Sequence, residues 1–272
     1  MEDYFKCICV DKKLMLKHSS GFFSCCSIAL YNILVFIKNE GFAPDVDFSE
    51  TFLKYMGPEQ TNGNDVYNEL FQNNSVIDSK FTYDGQFKVR SLFPYINEDY
   101  TAINKIVSAW FSPNQNVIKE KERLVEKYNL IPDEMLCVCF RGTDKYKDIE
   151  ETDYEMFCSR VEQIMSFPNI NSILLQTDQE QFVSYFKKRF TSFDVVIIEE
   201  NPRRVDREQV AFQLDAKDRM LAAKVFLATM LIMSECKFII NHTGNVARWI
   251  NLFRGDAENT VQYMAQQEFL NI

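Results

Sequence analysis

The stretch Met135-Leu-Cys-Val-Cys-Phe140, followed by Arg141-Gly-Thr-Asp144, decides the fold. A run of six apolar residues is too short for a core helix and is typical of a strand that is buried on both faces. Pro132-Asp133 precedes the run and a polar segment follows it, so both ends of the strand are marked. Because strands buried on both faces belong to parallel sheets covered by helices, this stretch predicts an α/β protein.

Strand and helix patterns alternate on both sides of this stretch. Downstream, the patterns predict strands at Ser172–Gln176, Phe193–Ile198 and Cys236–Ile240, and helices at Asn114–Tyr128, Asp153–Ser166, Thr177–Lys188, Leu214–Ser234 and Asn245–Phe253. Upstream, they predict strands at Phe5–Val10 and Val46–Phe48, a turn-like stretch at His18–Ser24, helices at Cys25–Lys38 and Glu98–Phe111, a polar loop at 57–80 with at most one short helix, and an Asp-Gly hairpin at Phe81–Phe87.

Length and alternation together predict two α/β domains. At roughly 150 residues per domain, 272 residues suggest two domains. Residues 113–272 read as one doubly wound domain with a mainly parallel sheet, and residues 1–112 as a looser α/β domain. We therefore expect an N-terminal domain at 1–112 and a C-terminal, ligand-binding domain at 113–272.

Composition and charge narrow the class of protein. The chain is 46% hydrophobic and 25% charged, which is a globular composition. Its net charge of −9 leaves no basic excess to displace counterions from a polyanion, so we expect no sequence-independent binding to nucleic acid. The apolar stretches Ile28–Ile37 and Met220–Met233 fall short of the ~20 residues that span a bilayer, so we expect no transmembrane segment. The start, MEDYFK, lacks the apolar core of a signal peptide.

The eight cysteines are predicted to be reduced thiols. None forms a C-x-x-C pair and the chain has only two histidines, so a zinc site is not supported. In the pairs Cys7/Cys9 and Cys137/Cys139 both thiols point to the same face of a predicted strand, where cysteine acts as a small hydrophobe. Reduced, buried thiols indicate a reducing compartment, and we expect a cytoplasmic protein.

Polar segments follow three of the predicted strands, at the edge where ligands bind in open α/β sheets. They are Arg141–Lys145, Thr177-Asp178 and Asn241–Asn245. An arginine offers a fixed fork of donors that matches phosphate oxygens. Thr243-Gly244-Asn245 opens a helix, whose free N–H groups and positive dipole end favour an anion. Together the segments predict a phosphorylated ligand held by residues 113–272.

Each of these residues also has a purely structural interpretation. Arg141 could pair with Asp144 to shape a turn. Asp178, Thr243 and Asn245 could be helix caps, and the charged run 199–210 could be a solvated loop. His18 and His242 could be plain loop residues.

Other motifs for phosphate or nucleophile chemistry are absent from the sequence. There is no G-x-x-x-x-G-K-[ST], no G-x-G-x-x-G and no G-x-S-x-G. The D-x-D pattern that metal-dependent nucleotide-sugar enzymes often carry occurs once, at Asp45-Val46-Asp47. It follows Pro44 and has the pattern of a strand start.

The order of the segments resembles the fucosyltransferase superfamily, which includes the α1,6-, nodulation and protein O-fucosyltransferases. The family motif H-x-R-x-x-D reads Cys139-Phe-Arg141-Gly-Thr143-Asp144, with cysteine in place of histidine. The second family element, a strand followed by Thr-Asp, matches SILLQTD at 172–178. The third is similar to LIMSECKFIINHTGNVARW at 231–249, with Lys237 for an aspartate and Thr243-Gly244 for serines. GFFS at 21–24 is similar to the Gly-aromatic loop that opens the family's first domain.

The resemblance implies a GT-B-like fold, with two Rossmann-like domains facing a cleft. It also implies an inverting glycosyltransferase that needs no metal and no cofactor beyond its donor, GDP-fucose, and that acts on a glycan acceptor. Arg141 would bind the leaving diphosphate and act as an electrostatic catalyst.

The same resemblance implies a set of site residues. The catalytic residues would be Arg141, Asp144 and a general base, for which Glu150 is the choice among Asp148, Glu150 and Glu151. The donor-binding residues would be Gly21, Phe22, Arg141, Thr143, Asp178, His242, Thr243, Gly244 and Asn245.

Cys139 leaves two alternatives open, because the family histidine contributes to donor recognition. The first is the same fold with a different nucleotide sugar as donor. The second is a catalytically inactive protein that binds a sugar nucleotide or a glycan.

Overall fold

The structure, a computed structural model, describes residues 6–10, 13–72, 83, 87–88, 93–142, 153–204 and 214–272, with the backbone alone for 6–10. The strands are β1 (Lys6–Val10), β2 (Lys13–His18), β3 (Asp45–Thr51), β4 (Phe71–Gln72), β5 (Ser112–Pro113), β6 (Met135–Phe140), β7 (Ser172–Thr177), β8 (Asp194–Val196), β9 (Phe238–His242), β10 (Thr260–Met264) and β11 (Gln267–Asn271). The helices are α1 (Phe22–Glu40), α2 (Gly63–Leu70), α3 (Tyr100–Trp110), α4 (Gln115–Tyr128), α5 (Tyr154–Met165), α6 (Glu180–Arg189), α7 (Ala216–Ser234) and α8 (Asn245–Arg254).

The second half of the chain is built on a six-stranded sheet with the order β11-β10-β9-β6-β7-β8. Five of these strands are parallel, and β11 runs antiparallel to β10 at the edge. All six residues of the central strand β6 are buried. The prediction of a strand covered on both faces of a mainly parallel sheet is confirmed.

Helices cover both faces of this sheet. α5 and α6 pack on the face that carries Leu136, Val138 and Phe140. α4, α7 and α8 pack on the opposite face, which carries Cys137 and Cys139. The chain therefore leaves β6 toward one face and leaves the neighbouring strand β9 toward the other. Such a reversal is the topological switch point of a doubly wound sheet.

The first half of the chain forms a smaller unit around the sheet β1-β2-β3. β1 is antiparallel to β2, and β2 is parallel to β3 with α1 as the crossover between them. The Thr51 hydroxyl donates to the carbonyl oxygen of Leu16 at 3.0 Å and locks the end of β3 to β2. The sequence predicted β1 and part of β3 but missed β2, whose alternating Lys-Leu-Met-Leu-Lys pattern is that of a half-buried strand.

Helix α1 has the length and mean hydropathy, 1.5, of a membrane-spanning helix, and within the described ranges it alone passes that test. It is nevertheless 67% buried inside the protein and contacts β2, α3 and α8. Such burial is typical of a core helix, for which the same length and composition are common. The expectation that the chain has no transmembrane segment stays a prediction.

The two halves of the chain share one hydrophobic core. Phe23 of α1 stacks on Trp249 of α8, with ring centroids 5.6 Å apart. Nε1 of Trp249 donates to the Ser27 hydroxyl at 2.9 Å. The boundary predicted between residues 112 and 113 falls inside the short strand β5, and the division into two domains stays a prediction.

Some local predictions differ from the structure. The hairpin β10–β11 was missed, because Thr260 and Gln262 interrupt the apolar pattern and are fully buried against other elements. β8 is shorter than predicted, ending at Val196. The described part of the polar loop, 57–72, holds one short helix: α2, which begins with a capping box between Asn62 and Asp65. The hairpin predicted at 81–87 lies largely outside the described residues.

Candidate functional site

The carboxyl ends of β6 and β9 lie side by side at the switch point. Cys139 of β6 is the register partner of Asn241 of β9, and β7 flanks β6 on the other side. Arg141, Asp178 and the segment 242–245 therefore leave the same edge of the sheet. The crevice at this point is where ligands bind in doubly wound sheets. The structure thus brings together residues of all three polar segments that the sequence singled out, with Arg141 and Gly142 described for the first of them.

Arg141 and Asp178 form the charged part of the site. Nε of Arg141 lies 3.9 Å from Oδ2 of Asp178, and 31% of the arginine side chain is exposed. Oδ1 of Asp178 accepts a hydrogen bond from the backbone N–H of Gly142 at 3.0 Å. The interpretation of Asp178 as a helix cap is wrong, because the N-cap of α6 is Gln179. Asp178 instead holds the loop after β6 in place.

Gly142 allows the loop after β6 to pass close to the loop after β7. A Cβ at residue 142 would lie 2.2 Å from Oε1 of Gln179 and 2.9 Å from the ring of Phe140. Gln179 is buried, and its Oε1 accepts from the Tyr154 hydroxyl at 2.5 Å. A side chain at residue 142 would therefore push against a group that is already fixed.

His242 is a positioning residue rather than an exposed one. Its side chain is buried and its ring stacks on Phe140, with an interplanar angle of 14°. Nδ1 lies 2.8 Å from the carbonyl oxygen of Arg141, to which it donates. The interpretation as a plain loop residue is wrong. The contact between His242 and the donor stays a prediction; in the structure Nδ1 is bonded to the backbone of Arg141.

The amino-terminal end of α8 is open. Gly244 is its N-cap, no side chain caps it, and a Cβ on Gly244 would meet nothing within 4 Å. Gly244 is itself buried, and the first N–H groups and the positive end of the helix dipole beside this space favour an anion. Asn245 accepts a hydrogen bond from the Ser27 hydroxyl at 2.9 Å. Its side chain joins α8 to α1 and does not cap its own helix.

Thr243 faces the interior. It is fully buried, its N–H donates to the carbonyl oxygen of Tyr263 at 2.7 Å, and its hydroxyl accepts from Nε2 of Gln262 at 3.1 Å. The contact between its side chain and the donor stays a prediction. Thr243 anchors the loop from which α8 starts.

The first half of the chain turns its own strand ends toward this site. β2 ends at His18, whose Nε2 lies 3.1 Å from the Ser24 hydroxyl in the first turn of α1. The N-cap of α1 is Gly21, where a Cβ would also meet nothing within 4 Å. Burial raises the pKa of Tyr55, just after β3, and the charge of Arg141 offsets part of that rise. Arg141 is therefore within electrostatic reach of the first half of the chain.

Phe22 belongs to the core and not to the surface of the site. Its side chain is 3% exposed and lies among Phe23, Phe52, Tyr55 and Phe71. The role of Phe22 in donor binding stays a prediction.

Sequence reasoning missed a row of polar side chains just below the carboxyl edge of the sheet. Gln262, Asn241, Cys139 and Gln176 are register neighbours on β10, β9, β6 and β7. All four are buried, on the face that α7 and α8 cover. Burial raises the pKa of Cys139 to about 12, so its thiol is neutral. Cys139, Gln176 and Asn241 are each the last residue but one of their strand, whereas Gln262 is the middle residue of β10.

The segment 93–98 supports this row and the start of α8. The Tyr95 hydroxyl donates to Oδ1 of Asn241 at 2.7 Å, and the Tyr95 N–H donates to Oε1 of Gln262 at 3.0 Å. Arg248 of α8 is fully buried, donates from Nε to Oε2 of Glu98 at 2.7 Å, and stacks on the ring of Phe87. Burial raises the pKa of Glu98, and the hydrogen bond from Arg248 offsets part of that rise.

Several predicted residues lie outside the described part of the chain. They are Thr143, Asp144, Asp148, Glu150 and Glu151. Their predicted roles stay predictions.

Within the described ranges, no group of three His, Cys, Asp or Glu residues could hold a metal ion. The D-x-D pattern lies in β3. Oδ1 of Asp47 accepts from Asn64 and from the N–H of Ser49, each at 2.9 Å, and its Oδ2 pairs with Lys13. This aspartate is therefore part of the local structure.

Comparison with known proteins finds similarity at the level of structure. No family model and no curated protein matches the chain. The selenomethionine form of fucosyltransferase NodZ from Bradyrhizobium is similar over 96% of this chain and 98% of that one, with a TM-score of 0.58 at 12% identity. A second NodZ structure from Bradyrhizobium gives a TM-score of 0.56 at 13% identity, over 95% and 98% of the two chains. The fold is fucosyltransferase-like.

The predicted GT-B-like α/β architecture is confirmed by this similarity. The chain spans about half the length of one further NodZ structure. The match to NodZ α-1,6-fucosyltransferase co-crystallised with GDP covers 52% of that chain and 62% of this one, with a TM-score of 0.44 at 14% identity.

Proposed function

We propose that the protein is a glycosyltransferase that transfers fucose from GDP-fucose to a glycan acceptor, with inversion and without a metal. One observation carries the proposal: Arg141 and the open amino-terminal end of α8 flank the switch point of the sheet. The fold that holds them is shared with the fucosyltransferase NodZ.

In this mechanism the acceptor oxygen attacks the anomeric carbon from the side opposite to the diphosphate. The bond from that carbon to the phosphate oxygen breaks, and negative charge builds on the leaving diphosphate. A guanidinium and a helix amino-terminus held at fixed positions stabilise this charge without reorganisation. The bond from Nδ1 of His242 to the Arg141 carbonyl and the bond from Gly142 to Asp178 support this role, because they fix the backbone that carries Arg141.

The acceptor hydroxyl must lose its proton as it attacks. We assign the general base to the acidic residues that follow Arg141, with Glu150 first among Asp148, Glu150 and Glu151, and Asp144 as a further catalytic residue. This assignment rests on the family resemblance of the sequence. Replacing each of the four in turn and measuring kcat of transfer tests it.

The choice of GDP and fucose rests on the same resemblance and on the fucosyltransferase NodZ as structural neighbour. Thermal shift with GDP, UDP and CMP, and with their sugars, tests the choice. A ligand at ~100 times its Kd stabilises a protein by about 2.7 kcal/mol. We expect GDP and GDP-fucose to raise Tm. A shift with UDP or CMP and none with GDP would show that the donor is a different nucleotide sugar.

The rival proposal is an inactive protein that binds a sugar nucleotide or a glycan. It is motivated by Cys139, a neutral, buried thiol at the position of the family histidine. Donor hydrolysis with and without acceptor separates the two. A protein that binds GDP-fucose but never releases GDP would favour the rival.

Two further parts of the proposal concern metal and location. Because Arg141 and the start of α8 can balance the charge of the diphosphate, we expect turnover to persist in EDTA. Activity that vanishes in EDTA and returns with Mn²⁺ would contradict this.

We also propose a cytoplasmic location, supported by six buried free thiols among the described cysteines. Fractionation of cells checks it.

A further inference from the structure

The side-chain amide of Asn241 is buried but incompletely bonded. The residue is 0% exposed. Its Oδ1 accepts from the Tyr95 hydroxyl at 2.7 Å, whereas its Nδ2 has no hydrogen-bond partner among the described residues. If the amide were flipped, Nδ2 would face the Tyr95 hydroxyl and Oδ1 would be the atom without a partner, because the hydroxyl can bond to only one of the two. An apolar side chain of the same shape would be less costly here, so the amide calls for an explanation beyond the fold.

The position of the amide points to a ligand. Asn241 lies on β9, in register with Cys139 of β6, directly at the switch point between the two strands. Its neighbour on the other side, Gln262, is fully used: it bonds to the N–H of Tyr95, the carbonyl oxygen of Phe93 and the hydroxyl of Thr243. The unpaired atom thus lies in the polar row at the place where a doubly wound sheet binds its ligand.

The surroundings of the amide select for a neutral group. Cys139 is small, 5% exposed and neutral, because burial raises the pKa of its thiol. The positive groups, Arg141 and the amino-terminal end of α8, come after the last residues of β6 and β9 and form the rim of the site. A phosphate of the ligand would contact Arg141 and the start of α8. A neutral oxygen of the ligand would contact the polar side chains beneath them, on β10, β9, β6 and β7.

We propose that Asn241 binds the donor, with Nδ2 donating a hydrogen bond to a neutral oxygen of the nucleotide sugar. That oxygen is a carbonyl of the base or a hydroxyl of the sugar. The Tyr95 hydroxyl presets the amide, so that the donating N–H is oriented before the ligand arrives. The inference rests on the proposed function and adds a specificity residue to it. The cost of the unpaired amide in the free protein is relieved when the ligand binds.

The test compares ligand affinity with stability in matched variants. Calorimetry measures Kd for GDP and GDP-fucose in the wild type, in Asn241→Leu, and in Tyr95→Phe/Asn241→Leu, which removes both partners of the buried bond. Asn251→Leu is the control, because Asn251 is also a fully buried amide but lies midway along α8. We expect both Asn241 variants to bind about tenfold more weakly, the double variant to keep the wild-type Tm, and Asn251→Leu to bind as the wild type does.

The pattern across ligands identifies the oxygen. Weaker binding of both GDP and GDP-fucose assigns the bond to an oxygen of the guanosine, and weaker binding of GDP-fucose alone assigns it to a hydroxyl of the fucose. Wild-type affinity for both ligands in the Asn241 variants would overturn the inference and leave the proposed function intact. If the wild type itself binds neither ligand, the proposed function fails and the inference fails with it.

Discussion

The Ser27 hydroxyl of α1 donates a hydrogen bond to Oδ1 of Asn245, the first residue of α8, at 2.9 Å. The same hydroxyl accepts from Nε1 of Trp249 at 2.9 Å. One small side chain thus sets the start of α8 beside the second turn of α1, across 218 residues of sequence. Both helices begin at a glycine with open space around it, at Gly21 and Gly244. Two positive helix ends therefore belong to one site, which suits a ligand with more than one negative charge.

Replacing Arg141 tests the catalytic role. Arg141→Ala is expected to lower kcat by about 10²–10³, the range for losing one fixed group that stabilises developing charge. Tm should change little, because the arginine is partly exposed and its ion pair with Asp178 is long, at 3.9 Å. Arg141→Lys should restore only part of kcat, because an ammonium lacks the bidentate fork.

Asp178→Asn is the matched control for Arg141, because asparagine can still accept from the N–H of Gly142. If the arginine only shapes its loop by pairing with Asp178, both variants would lose similar stability and keep their activity per folded molecule. Measuring kcat and Tm on both decides. An active but destabilised Arg141→Ala would refute the catalytic role.

Replacing Gly244 separates ligand binding from folding. Gly244→Ser should leave Tm unchanged or raise it slightly, because serine is at least as good an N-cap as glycine and the backbone at φ 161° is extended. The added side chain enters the open space at the end of α8. GDP should therefore bind about tenfold more weakly, which is the effect of losing one hydrogen bond to a charged group. Thermal melting and calorimetry measure the two effects.

Gly63→Ala is the contrasting variant. There a Cβ would lie 1.8 Å from the carbonyl oxygen of Thr51, so Tm should fall sharply. If Gly244→Ser melts as low as Gly63→Ala, the glycine at 244 serves the fold and not the ligand.

The ion pair between Arg248 and Glu98 is expected to dominate the stability of the segment 93–98. The two side chains are 0% and 5% exposed. Glu98→Ala leaves the guanidinium buried without a counter-ion, which should lower the free energy of unfolding by about 3–5 kcal/mol. Arg248→Met/Glu98→Met should recover most of that loss, because no charge remains buried. Urea unfolding measures both; a double variant as unstable as the single one would contradict the coupling.

Glu200 should make stability depend on acid pH. Burial alone would raise its pKa, but hydrogen bonds from Lys127, Tyr128 and Arg123 outweigh this and lower the pKa to about 2. Because the unfolded carboxyl titrates near pH 4.3, the unfolded state binds the proton first as pH falls. The contribution of Glu200 is therefore complete above about pH 4.5 and is lost between that pH and about 2.

Melting curves from pH 7 to pH 2.5 test this linkage. Glu200→Gln should lower Tm at pH 7 and should lose less Tm than the wild type below pH 4.5. The exposed Glu122 on α4, the helix that carries Arg123 and Lys127, supplies the control variant, Glu122→Gln, which should follow the wild type. Parallel curves for Glu200→Gln and the wild type would rule out the contribution.

Much of the second half of the chain could be predicted from local pattern. The run Met135–Phe140 predicted the central strand, and the polar residues after it predicted one wall of the site. The roles of individual side chains there were harder to predict. His242 and Thr243 were predicted to bind the donor, which stays a prediction; the structure adds that both are buried and bonded to other parts of the chain. A polar residue after a strand is compatible with either role, because its sequence neighbours do not tell which way the side chain points.

The sequence by itself determined the central strands β6, β7 and β9, the helices around them and the polar ends of those strands, because apolar periodicity and helix-stop signals are encoded within a few neighbouring residues. Only the tertiary structure decided which polar groups meet. The Tyr95 hydroxyl reaches Asn241 across 146 residues and Ser27 reaches Asn245 across 218. Such pairs depend on how helices and sheets pack, and packing is set by the whole core at once and not by any local stretch.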